Sequence, residues 1–161
     1  MSVTISFISA TTQELDRAER DPSWADEYAD SLYDSDVYAS PDRPDAGPDK
    51  AWAGLQFLFE ESGVGPDFLM DGFMIVEEGT LFGWTAEQIA KLASELGATP
   101  WERLAAHYDP VRMTENEVYP NMWRFDAEGE LEWLRHAYEE LVAFFAAAAE
   151  RGLGAFMNFS F

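Results

Sequence analysis

The strongest constraint on the fold lies in the last third of the chain. Leu131, Leu134, Tyr138, Leu141, Phe145 and Ala148 recur at alternating spacings of three and four. That is the period of a helix with one buried stripe. Trp133, Ala137 and Phe144 widen the stripe, so this helix is expected at the centre of the molecule. Asp126 is placed to cap its start and Gly152 to end it. Beyond Gly152, Leu153 to Phe161 reads as a strand with Ala155, Met157, Phe159 and Phe161 on one face. At the opposite end, Val3, Ile5 and Phe7 alternate with Thr4 and Ser6, the pattern of a half-buried strand. Two such strands are expected to join one sheet. The architecture that follows is α+β: a single compact domain with a small mixed sheet including both terminal strands, packed against several helices.

Composition supports a folded chain inside a very negative shell. The 161 residues carry 31 acids against 10 bases, a net charge of −21, yet 15% are aromatic and 47% hydrophobic. Disordered acidic tails lack that apolar content. The length suits one domain, residues 1–161, with a real core. There is no cysteine, which removes disulfides, thiolate zinc sites and cysteine nucleophiles and suits a cytoplasmic location. The first residues show no basic region followed by an apolar run, so no signal peptide is expected. Between Lys50 and Lys91 there are seven acids and no base. Such a surface disfavours nucleic acid and anionic membranes and favours a basic protein partner. Negative charge also serves solubility alone.

Local signals place the remaining elements. Thr11 and Glu14 form a capping box that opens a helix to about Arg20, and Asp21-Pro22-Ser23 restarts a second with Trp24, Tyr28 and Leu32 on one face. Residues 34–49 read as an acidic, proline-rich surface loop, with Pro41, Pro44, Pro48 and five aspartates. A helix over 48–61 carries Trp52, Leu55 and Phe59, and Ser62-Gly63 ends it. Phe73–Val76 and Thr80–Phe82 flank a hairpin-like turn at Glu77-Glu78-Gly79. Thr85 and Gln88 form another capping box, and the helix they open stops at Gly97. Pro100 is placed at the first position of the next helix.

Few residues carry recognisable chemistry. His136 lies between Glu132 and Glu140 on the long helix, a stripe that reads as solvated i,i+4 pairing before it reads as a metal site. His107 sits near a helix end, where a cation meets favourable electrostatics. No nucleophile elbow or glycine-rich phosphate cradle occurs. Neither a catalytic residue, a metal nor a cofactor is implied, so the balance leans away from an enzyme. The segment Arg112 to Trp123 reads as a polar, irregular connection, with Tyr119-Pro120 a fixed turn that is a candidate for a cis bond. Trp52, Arg112, Tyr119 and Trp123 are the candidate ligand-binding set. Asp34, Asp36, Asp42, Asp45, Glu60 and Glu61 are the candidate partner-binding set.

Several stretches resemble a known family. These are Glu117-Val118-Tyr119-Pro120-Asn121-Met122-Trp123, the helix through Tyr138-Glu139-Glu140-Leu141, Ala148 to Gly152, and upstream Asp49 to Leu58. Together they are similar to the YfbM-like family of bacterial proteins. The chain departs from it at Ala53 and Gln56, where many relatives carry histidines. The resemblance implies a compact α+β domain and no established reaction, cofactor or catalytic residue. The expected function is a non-catalytic protein-binding module, an immunity-type inhibitor or regulator docking a basic partner. The alternative is a small-molecule-binding protein or enzyme with its site near the Trp52 set. A homodimer formed through the last strand is a further expectation.

Overall fold

A computed structural model describes residues 2–33 and 43–161. Among these residues the chain forms five strands and seven helices. In order they are β1 (Thr4–Ala10), α1 (Thr12–Arg20), α2 (Pro22–Tyr33), β2 (Asp45–Asp49), α3 (Trp52–Ser62), β3 (Phe73–Met74), β4 (Leu81–Trp84), α4 (Ala86–Gly97), α5 (Trp101–Ala105), α6 (Pro110–Glu115), α7 (Ala127–Glu150) and β5 (Gly154–Ser160). The strands make one open sheet in the order β2-β1-β5-β4-β3. This is the expected α+β class, with both terminal strands in the sheet.

Every pairing is antiparallel, so the sheet is not mixed. The registers give the reason. β1 leaves the sheet at Ala10, and β2 enters opposite Ile8. β4 leaves at Trp84 opposite Ala155, and β5 enters at Gly154. These two helical excursions thus return the chain to the end of the sheet it left, which reverses the next strand, while β2 and β3, which run the same way on either side of α3, lie at opposite edges and never pair. β5 is hydrogen-bonded on both sides, to β1 and β4. It is therefore an interior strand, and the open edges of the sheet are those of β2 and β3.

Helices cover both faces of the sheet. Ile5, Phe7, Ala155 and Met157 point into the larger core, shared with α3, α4 and α7. Ile8, Ala10 and Phe156 point the other way, into a smaller core under α1 and α2. β1 is therefore buried on both faces from Phe7 to Ala10 rather than half-buried throughout. The long helix is central as its stripe predicts: Leu134, Tyr138, Leu141, Phe144, Phe145 and Ala148 are all buried.

Other departures are local. Residues 45–49 are an edge strand, not loop, because Ala46 pairs with Phe7 and is buried. Residues 34–42 of the expected acidic loop lie outside the described residues. Pro48 therefore precedes α3 instead of starting it. Pro100 is the N-cap of α5, one position before the expected one. Residues 110–115 form α6, with Asp109 accepting from the Arg112 N–H as N-cap, so the connection before Trp123 is less irregular than its composition suggests.

Candidate functional site

Of the four residues singled out as a ligand set, Trp52 and Tyr119 meet at the start of β1, where they act as structural brackets. The Trp52 indole N–H donates to the Val3 carbonyl at 3.1 Å. The Val3 N–H donates to the Tyr119 hydroxyl at 3.0 Å. These two side chains therefore meet on the backbone of one residue. The Tyr119–Pro120 peptide is cis. Trp123 is wholly buried and donates to the Val118 carbonyl at 2.8 Å. Arg112 grips Glu61 through two hydrogen bonds, Nη1 to Oε2 at 3.0 Å and Nη2 to Oε1 at 2.8 Å. This fork is the favoured guanidinium–carboxylate geometry. Its hydrogen bonds hold the Glu61 carboxyl below its ordinary value.

These four side chains do not line one cavity. An open cleft of about 410 Å³ runs beside Tyr119, Pro120, Met122 and Trp133, and of the four only Tyr119 reaches it. The proposed partner set is also dispersed. Asp34, Asp36 and Asp42 lie outside the described residues. Asp45 opens β2 at the sheet edge, Glu60 is exposed at the end of α3, and Glu61 is engaged by Arg112.

A larger open cleft lies elsewhere, between α2 and the polar ends of β1 and β5. It measures about 490 Å³ and is lined by Asp26 and Asp30 of α2, Ser6 of β1, Asn158 and Ser160 of β5, and Phe161. The registers explain it. Ser6 pairs with Asn158 on the face that carries Ile8 and Phe156 one step further along. That face is apolar where α2 packs and polar where it does not. Asp26 and Asp30, one turn apart and both exposed, overlook the polar end. Neither carboxylate has an ion-pair partner among the described residues. Phe161, 58% exposed, adds an aromatic rim. The signal in the sequence was the run of polar residues on one face of two apolar strands. It acquires meaning only when the termini are paired.

A polar network holds the far side of α2. Arg43 donates to the Ser9 carbonyl at 2.7 Å and to both oxygens of Glu14, at 3.2 and 3.1 Å. The Tyr28 hydroxyl donates to Glu14 Oε2. Glu14 also accepts the Thr11 N–H in the capping box of α1. Burial pushes the Glu14 carboxyl up, but the hydrogen bonds from Thr11, Tyr28 and Arg43 outweigh it and hold the group below its ordinary value. Every oxygen of this carboxylate is in use, so its role is to tie residues 43–44 to α1 and α2. His136 pairs with Glu140 at 3.3 Å on the exposed face of α7. Among the described residues no three or more His, Cys, Asp or Glu are arranged to hold a metal ion, and no helix is long and apolar enough to cross a membrane.

Comparison with known proteins agrees with this fold. Residues 1–157 match the family described as a domain of unknown function, DUF1877. The chain belongs to that family. Among solved structures, the fold matches the crystal structure of YfbM from Escherichia coli, a protein of unknown function, with a TM-score of 0.69. The match covers 98% of this chain and 99% of that one at 14% identity, so it speaks to the fold of the family alone. No curated protein matches.

Proposed function

We propose that this DUF1877 protein is a non-catalytic binding module that docks a basic protein partner, as an immunity-type inhibitor or regulator does, within the cytoplasm. The cleft between α2 and the polar end of the β1–β5 pair supports this reading. Asp26 and Asp30 stand there without cationic partners among the described residues, beside hydroxyl and amide groups and an exposed phenylalanine. A lysine or arginine side chain entering the cleft donates charge-assisted hydrogen bonds to both carboxylates, with Phe161 against its aliphatic stem. The net charge of −21 steers such a partner to the surface. The cleft then selects where it docks.

Titration with an arginine-rich peptide, followed by amide NMR, tests the reading. Saturable shifts centred on Asp26, Asp30, Asn158 and Phe161 are expected, weakening as salt rises to about 0.5 M, where screening shortens to a few ångströms. The double substitution Asp26→Asn and Asp30→Asn should weaken binding about a hundredfold, the cost of two lost charged hydrogen bonds at about 1.5 kcal/mol each. Shifts spread over every acidic face, or unchanged by the double substitution, would reduce the effect to general polyelectrolyte attraction and overturn the proposal.

A further inference from the structure

The open cleft beside Tyr119 is separate from the α2 cleft and shares no lining residue with it. One wall is the start of α7. Asp126, Glu130 and Trp133 follow one another at spacings of four and three, which puts them on one face of that helix. The other wall is the loop of Tyr119, Pro120 and Met122. Both walls are fixed. The loop closes on the Val118 carbonyl, which accepts the Asn121 N–H at 2.7 Å and the Trp123 indole N–H at 2.8 Å. The Tyr119 side chain is anchored by the Val3 N–H. The Trp133 ring lies against buried Trp123, with centroids 6.2 Å apart. The cleft is therefore preformed, and a ligand does not bear the cost of ordering it.

Rigid apolar surface comes from Tyr119, Pro120 and Trp133, with Met122 at the rim, 48% exposed. The Trp133 ring is partly exposed, and its Nε1–H reaches the surface without an acceptor among the described residues. The Lys50 ammonium is a second donor in the same cleft. Asp126 Oδ1 accepts the Gly129 N–H at 3.1 Å, which leaves its other oxygen and the whole Glu130 carboxylate. Neither acid has an ion-pair partner among the described residues, Lys50 included. Burial, and then the neighbouring Asp126 charge, push the Glu130 carboxyl above its ordinary value. A cation beside the pair offsets that repulsion. These groups select the form of a ligand. None of the lining residues belongs to a strand, so an added strand finds no backbone ladder to join. A helix satisfies its own carbonyls and has none to give the two donors. A polyproline II segment has every carbonyl free, carries rings that pack on aromatic faces, and is extended before it binds.

We infer that the cleft between α7 and residues 119–122 binds a polyproline II segment carrying a basic residue. Proline rings lie on Tyr119 and Trp133, carbonyls of the segment accept from the Trp133 Nε1–H and Lys50, and the basic side chain donates to Asp126 and Glu130. Titration of the folded protein with an oligoproline peptide ending in arginine, read at the Trp133 indole N–H resonance, tests this. A saturable shift of that resonance is expected, unchanged by Asp26→Asn with Asp30→Asn, which separates this cleft from the other. Glu130→Gln should weaken binding about tenfold, the worth of one charged hydrogen bond, and an oligoproline without arginine should bind about a hundredfold more weakly. Trp133→Phe, read at the Glu130 amide, should weaken binding about fivefold through loss of one neutral hydrogen bond. Glu130→Gln, on a partly exposed side chain, stands in if Trp133→Phe fails to fold. An unmoved Trp133 resonance, no effect of Glu130→Gln, or equal binding of a peptide with glycine in place of every proline would overturn the inference.

Discussion

Gly54 is a tight point in the larger core. A Cβ there would lie 2.6 Å from Trp123 Cη2 and 2.7 Å from Leu134 Cδ2, both buried side chains. Gly54→Ala gains about 1 kcal/mol of helix propensity. Overpacking at two contacts this short falls in the upper part of roughly 1–3 kcal/mol and wins. A lower denaturant midpoint is expected. Gly154→Ala should be worse, since its Cβ meets the Trp84 carbonyl oxygen at 2.3 Å and backbone yields least. Titration is set at single residues too. The Glu14 carboxyl lies below its ordinary 4.5 in the fold. Its contribution is therefore full above that value and lost as pH falls through the lowered one, a loss Glu14→Gln should flatten in denaturation curves taken against pH. Tyr138, whose hydroxyl donates to the Thr99 and Leu96 carbonyls at 2.7 and 3.2 Å, is pushed up to about 12 by burial. The stability it carries is full below pH 10 and is lost as pH rises toward 12. At this scale residue types were readable but partners were not. Trp52 and Tyr119 looked like a ligand pair, and their shared partner is Val3, 116 residues from Tyr119.

Elements were legible in proportion to how local their causes are. Both capping boxes, Thr11 with Glu14 and Thr85 with Gln88, form as their spacing predicts. Thr85→Ala should cost about 1 kcal/mol, readable as a lower melting temperature, because one helix donor loses its acceptor. The stripe of α7 and its glycine stop were equally plain. α6 was not, although Asp109-Pro110 is a sound start signal. Six residues are too few to show a helical period. β2 was hidden for a different reason. Asp-Ala-Gly-Pro-Asp has no strand propensity, and pairing with β1 and packing against α7 make it a strand. Its proline and acids suit an edge, where they discourage pairing with another chain.

At the scale of the whole molecule, charge repulsion dominates. With 31 acids and 10 bases, most carboxylates have no possible cationic partner. Added salt should therefore raise the melting temperature by screening self-repulsion. A fall on adding about 0.5 M salt would mean instead that the surface ion pairs contribute more than the repulsion, contrary to the small worth of exposed pairs. The same imbalance gives meaning to the few places where charge is organised. Arg43 and Arg112 are committed to Glu14 and Glu61. Asp26 and Asp30 have no cationic partner among the described residues.

The sequence by itself determined the α+β class, the central helix, the capped starts of α1 and α4, and the membership of both terminal strands in one sheet. Each rests on spacing or capping within a short stretch of chain. The tertiary structure alone decided strand direction, the strand at 45–49 and the cleft between α2 and the β1–β5 pair. Ser6 comes to face Asn158, and Trp84 comes to lie under Gly72, through pairing and packing between distant segments. No local pattern encodes such a meeting, because the free energy that enforces it belongs to the assembled core.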